Sequence, residues 1–276
     1  MRMATTVCER TLVLGDLHLG HVSTRLASAA ALAEVVEPAE RIVFNGDSIE
    51  ERHERRRAEA AAHRSALESL ARAAGARALF LTGNHDPEIS SRHCLRLAGG
   101  RVLVMHGDAV FPAISPWGDS AAEVAAAHRE ALARRERHGP LALDDRLQLA
   151  RGISLGMPVP EWTALPRRGT LATILRRIAK PRKVHQIIKC WLEAPGRTAG
   201  FIARYAPQTR IVIVGHTHRA GIWRRDGLTI VNLGGFLPGG GCRRAEITSE
   251  GVRVRALSER AGRFQLAAPL AELPLP

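Results

Sequence analysis

The stretch TLVLGDLH (residues 11–18) sets four consecutive β-branched or aliphatic residues directly before a glycine and an Asp-x-His pair. A run that short and that continuously apolar reads as a strand buried on both faces. The pattern recurs four times. RIVFN (41–45) leads into Gly46 and Asp47, ALFLT (78–82) into Gly83, Asn84 and His85, VLVMH (102–106) into Gly107 and Asp108, and RIVIV (210–214) into Gly215, His216, Thr217 and His218. Helical composition separates the first three runs, over residues 24–37 before Pro38 and over 53–74 before Gly75, a candidate C′ residue. Strands alternating with helices predict βαβ units and a layered α/β sandwich.

The alternation lapses over residues 112–205, which hold no convincing strand. Helices are expected at 119–138, with Asp119 as N-cap, and at 143–151. A third, capped by Thr170, carries Leu171, Ile174, Leu175 and Ile178, and after Pro181 a second stripe holds Val184, Ile187, Ile188, Trp191 and Leu192. From residue 210 strands return, and LTIVN and VRVRALS are among the runs that suggest antiparallel hairpins. The predicted organisation is a core of residues 1–111 and 206–265, a helical insertion over 112–205 acting as a lid or partner-binding element, and a C-terminal tail over 266–276. An insertion that long far exceeds an ordinary connection.

Each of the five apolar runs ends in a polar cluster. Sites in open α/β sheets form at the carboxyl ends of strands, so clusters spread over two hundred residues of sequence are expected to converge in one crevice. Carboxylate, imidazole and amide donors suit divalent first-row ions. An Asp-x-His or His-x-His pair places both donors on one side of an extended segment. The glycines before Asp16, Asp47, Asn84 and His216 allow sharp turns and close approach to the backbone. The four cysteines lack CxxC spacing, which argues against a thiolate zinc site or disulfide framework and fits a reducing cytoplasm.

The ordered set DxH, GD, GNHD, H and GHTH resembles the calcineurin-like metallophosphoesterase superfamily over residues 11–111 and 210–250. The resemblance implies a four-layer α/β/β/α sandwich with a long helical insertion. It implies that Asp16, His18 and His218 hold one metal, that Asn84, His106 and His216 hold another, and that Asp47 bridges them. His85 would face the phosphate and protonate the leaving group, and Glu50, where many members carry Asp, would orient it. Arg219 would either touch phosphate or brace His218. The implied activity is hydrolysis of a phosphoester or pyrophosphate by hydroxide activated between two divalent ions, with Mn²⁺ expected and Zn²⁺ or iron as alternatives. The DLHLG start, Glu50 and the long basic insertion before GHTHR are also similar to the UDP-2,3-diacylglucosamine pyrophosphohydrolases, from which His85 departs, since that branch typically has Arg there. This branch implies a UDP-sugar lipid substrate and peripheral association with the inner membrane. A nuclease, a cyclic-nucleotide phosphodiesterase and a non-catalytic interaction scaffold are the competing readings.

The chain carries a formal charge of +13 over 276 residues, and 45% of them are hydrophobic, enough for a sizeable core. Sixteen basic against eight acidic residues fall between 112 and 205, so most of the excess sits in the insertion. Residues 162–192 hold eight basic residues and no acidic one, interleaved with aliphatics. Such a segment reads either as an anionic-membrane element or as a solvated face packed on the core. A nucleic-acid partner is less favoured, because aromatics for base stacking are scarce there. No apolar run reaches membrane-spanning length and the first ten residues lack an apolar signal region, so a cytoplasmic protein is expected.

Overall fold

The computed structural model describes residues 9–52, 57–116, 118–157 and 181–275. Its strands are β1 (Thr11–Leu14), β2 (Arg41–Asn45), β3 (Arg77–Leu81), β4 (Cys94–Leu97), β5 (Val102–Met105), β6 (Ile211–Val214), β7 (Gly221–Arg225), β8 (Leu228–Asn232), β9 (Arg243–Ile247), β10 (Gly251–Arg260) and β11 (Arg263–Pro274). The helices are α1 (Arg57–Ala73), α2 (Ala121–Glu136), α3 (Leu143–Gly156) and α4 (Pro181–Tyr205). One sheet runs β11-β10-β9-β1-β2-β3 and the other β4-β5-β6-β8-β7. In the first, β1, β2 and β3 are parallel, and in the second so are β5, β6 and β8.

The alternation of side chains explains why these runs are apolar throughout. Val13, Val43, Val104 and Ile213 point into a core held between the two sheets. Their neighbours Leu12, Leu14, Ile42 and Phe44 point the other way, against Leu67 and Ala71 of α1. Leu103, Met105, Val212 and Val214 likewise face Val124 of α2, Leu147 of α3 and Phe201 and Ile202 of α4. Three apolar interfaces make four layers, helix, sheet, sheet and helix, which is the expected sandwich.

The helices of residues 112–205 are therefore part of the core as well as an insertion into it. β5 and β6 are parallel, and a parallel pair needs a crossover connection over one face of the sheet. Residues 112–205 are that crossover, and α2, α3 and α4 form the outer layer. The expected helix capped by Thr170, and the basic residues from 162 to 180, lie outside the described residues.

Several expectations need correction. Residues 24–37 hold only a 3-10 helix, Ala29–Val35, because the β-branched pair Val35 and Val36 leads into an extended backbone before Pro38. Asp119 does not cap α2. The residue before that helix is Ser120, and Asp119 instead pairs with Lys183 at 3.4 Å. Residues 266–274 are no tail, since they belong to β11, paired antiparallel along β10 at the sheet edge. β4 was hidden by its brevity and by Arg96 at its centre. Gly75 fulfils its expected role, at φ +72 with Gly75 N–H donating to Arg72 O and Ala76 N–H to Ala71 O.

A buried polar pair ties the crossover to the sheets. His128 of α2 donates from Nδ1 to Pro112 O at 2.9 Å and accepts at Nε2 from Arg146 of α3 at 2.8 Å. Burial and the neighbouring guanidinium push His128 down to about 4. Its folded value thus lies below the ordinary 6.5, so the unfolded chain takes up the proton first. Stability from this group is full above pH 6.5 and is lost as pH falls toward about 4. Urea unfolding from pH 7.5 to 4.5 should show a smaller loss for His128→Gln than for the parent chain; identical losses would contradict a neutral buried His128.

Candidate metal centre

The polar strand ends meet in one cleft. Asp16 and His18 follow β1, Asp47 and Glu50 follow β2, Asn84 and His85 follow β3, His106 follows β5, and His216 and His218 follow β6. Asp16, His18, Asp47, Asn84, His106 and His216 are each at most 3% exposed, so a dense group of charges and imidazoles is withdrawn from water. Burying such groups is costly unless they are paired or held by a cation.

The backbone turns sharply at these positions. Nine described non-glycine residues have positive φ, and five of them are Asp16, His18, Asp47, His216 and His218. A sixth, Ile114 at φ +56, is fully buried and β-branched, a conformation that costs on the order of 1–3 kcal/mol. Such outliers concentrate where function over-determines the backbone. The adjoining glycines are sterically required: a Cβ on Gly46 would lie 2.6 Å from Cγ of His106, and one on Gly215 would lie 1.9 Å from Oδ2 of Asp16.

Two ligand-like groups share one carboxylate. Donor atoms of Asp16, His18, Asp47 and His218 all lie within 4.8 Å of one another, as do those of Asp47, His106 and His216. In the first, Nε2 of His18 is 3.0 Å from Nε2 of His218, which is itself 3.2 Å from Oδ1 of Asp16. In the second, Nε2 of His106 lies 3.3 Å from Oδ2 of Asp47 and 3.2 Å from Oδ1 of Asn84. Imidazole nitrogens, carboxylates and one amide oxygen fit two borderline divalent ions, with Asp47 common to both.

The remaining contacts orient these donors. Glu50 takes both candidate histidines, with Oε1 2.8 Å from Nδ1 of His18 and Oε2 2.8 Å from Nδ1 of His85. A histidine that gives its Nδ1 proton to a carboxylate presents Nε2 as the ligand atom. Asp86 accepts the backbone N–H groups of Asp47, Ser48 and Gly83 at 2.7–2.9 Å, which shapes the turn that carries Asp47. Asp16 accepts the His216 N–H at 2.9 Å, and His216 Nε2 donates to Ile114 O at 2.7 Å. Burial opposes the charge on His85, but Glu50 and Asp47 outweigh it and raise its pKa to about 9. For Glu50 burial is likewise outweighed, here by His85 and His18, and it falls to about 2.

Sequence reasoning missed some of this constellation. Asn232 at the end of β8 donates to Gly215 O at 2.7 Å and to Thr217 Oγ1 at 3.0 Å, holding the His216 turn. The same strand-end rule applied to LTIVN would have found it. His21, read as a solvated or packed residue, has its ring 5.8 Å from that of His18, and burial pushes it down to about 3. Arg219 donates to Trp191 O at 3.0 Å, with its guanidinium 6.0 Å and 5.8 Å from the Trp191 and Trp223 rings. These contacts hold the Arg219 guanidinium against α4 and β7.

No family model matches the chain, and no curated protein does. Among solved structures, a dimetal phosphatase from Danio rerio is 11% identical over 97% of this chain and 99% of its own, with a TM-score of 0.49. Vps29 from Cryptosporidium parvum is 12% identical over 96% and 100%, with a TM-score of 0.45. A predicted phosphoesterase from Streptococcus pneumoniae is 14% identical over 96% and 99%, with a TM-score of 0.36. All three TM-scores lie below 0.5, so the chemistry of this chain rests on its own residues.

Proposed function

We propose that this chain is a phosphohydrolase that cleaves a phosphoester or pyrophosphate bond with two divalent ions, Mn²⁺ being the expected metal. One observation carries the reading: two donor groups, buried except for the half-buried His218 and assembled from four strand ends, share the carboxylate of Asp47. Asp16, His18 and His218 would hold one ion, and Asn84, His106 and His216 the other. When bound, two such ions supply Lewis-acid stabilisation of a phosphoryl oxygen and lower the pKa of water.

The chain's own residues supply the rest. Asp47 accepts the His85 backbone N–H at Oδ1, 2.8 Å away, so the bridging carboxylate also fixes the residue expected to meet the substrate. With Nδ1 engaged by Glu50, Nε2 is the nitrogen through which His85 would donate a proton to the leaving oxygen.

The test is a panel of an aryl phosphate, an aryl phosphodiester, cyclic nucleotides, linear DNA and a UDP-sugar lipid, with Mn²⁺-loaded protein. Turnover of at least one is expected, abolished by Asp47→Ala and lowered roughly 10²–10⁴-fold in kcat by His85→Ala. A folded, Mn²⁺-loaded protein that cleaves none of them would support a binding scaffold and overturn the proposal. DNA cleavage would assign a nuclease.

A lipid-linked substrate is favoured by a separate observation. Val184, Ile188 and Leu192 of α4 are 36%, 47% and 69% exposed and fall on one line of the helix at i, i+4 and i+8. Lys183 and Lys189 lie beside them, each with an exposed and weak carboxylate partner, Asp119 and Glu193. On the same helix, Trp191 Nε1 donates to Thr217 O at 2.9 Å, which sets this stripe close to the metal loop. Exposed apolar stripes beside cations suit an anionic lipid surface. No helix among the described residues is long and apolar enough to cross a membrane. The protein should sediment with phosphatidylglycerol vesicles at low salt and about tenfold less with Ile188→Glu plus Leu192→Glu. Binding unchanged by those substitutions would contradict the lipid reading.

A further inference from the structure

The loop after β5 presents three carbonyls within six residues to three different side chains. Ala109 O accepts from Nη2 of Arg146 at 2.6 Å, Pro112 O from Nδ1 of His128 at 2.9 Å, and Ile114 O from Nε2 of His216 at 2.7 Å. Two belong to the crossover helices and one to the candidate metal centre. At the end of this stretch the backbone turns left-handed at Ile114, whose carbonyl meets the imidazole.

The two helical donors are buried where simple packing would serve stability better. Arg146 is 5% exposed and His128 is 1% exposed, within an otherwise apolar cluster. Arg146 also sits over the Phe201 ring at 5.6 Å. Burial opposes the charge on Arg146, whose partners are the Ala109 carbonyl, the neutral His128 ring and the Tyr205 hydroxyl, with the Asp108 carboxylate nearby. Replacing a buried polar network of this kind with apolar groups is often neutral. What this arrangement supplies is direction: fixed donors at fixed points on one short strap.

We propose that Arg146 and His128 are positioning residues for His216, holding the 108–114 strap in the shape that directs Ile114 O to Nε2 and so leaves Nδ1 to the metal. The inference rests on the reading of His216 as a ligand. Outer partners of this kind fix the tautomer and ring orientation of metal-binding histidines, and their loss typically weakens the metal by 10- to 100-fold. It also gives the crossover a second task beyond covering the sheet: its first two helices set the geometry of one half of the centre. The second half is built on β1 and the His218 turn rather than on this strap and should not respond.

Two readouts test this on the full chain. In metal-free protein, ¹⁵N NMR of the histidine rings should show His216 protonated at Nε2, and His128→Phe or Arg146→Met should convert it to a mixture. By titration with Mn²⁺, the parent should bind two ions. Each of these variants should bind one ion as before and the other 10- to 100-fold more weakly. His128→Gln, which can still donate to Pro112 O and accept from Arg146, should behave as the parent. Folding of every variant is followed by circular dichroism. If His128→Phe and Arg146→Met do not fold, His128→Gln decides: a folded variant with mixed His216 tautomers overturns the proposal, and an Nε2-protonated ring supports it. Folded His128→Phe and Arg146→Met with unchanged tautomer and unchanged binding would overturn it. A parent that binds no metal but shows the tautomer change would keep the positioning role and remove the metal reading.

Discussion

The site depends on a backbone that turns left-handed after β1, β2 and β6, the strands that carry five of its donors. Asp16, His18, Asp47, His216 and His218 all have φ between about +48 and +67, which places their side chains in one cleft rather than along the sheet faces. Such turns are unfavourable for residues with a Cβ, and only a surrounding structure that over-determines them keeps them in place. Here that structure is two sheets buried on both faces. The carboxylates of Asp16 and Asp86 take the backbone N–H groups that the turns expose. Glycines sit wherever a neighbouring Cβ would collide with a ligand side chain. Removing the rigid layers would release the turns, and the donors would separate.

That dependence explains what could be read from the amino-acid order. A strand buried on both faces needs a continuous apolar run, so TLVL, RIVFN and RIVIV announce themselves without an alternating pattern. Polar residues at the end of such runs then point to a site by chemistry alone. Glu50 was legible only as a distance of three from Asp47, yet it braces both His18 and His85. Asn232 was legible in principle by the same rule.

Other parts were illegible for physical reasons. β11 contains Pro269 and Pro274 and alternates poorly, since it is an edge strand held along one side, so composition read it as a tail. The carbonyl of Ile114 is a backbone group, and no residue type marks it. Of the crossover helices, α2 reads as an appendage because its buried face is Ala-rich and modest. Their role as the fourth layer emerges only when β5 and β6 prove to be parallel neighbours. Among the described residues of that crossover, the inner faces of the helices pack on the sheet while the Lys183 and Lys189 side chains reach solvent.

The central claim is that Asp47 is shared between two cation sites, and anomalous diffraction from crystals grown or soaked with Mn²⁺ addresses it directly. The account predicts two anomalous peaks flanking the Asp47 carboxylate, one bounded by Asp16, His18 and His218 and the other by Asn84, His106 and His216. A single peak away from Asp47, or none at full soaking, would contradict it.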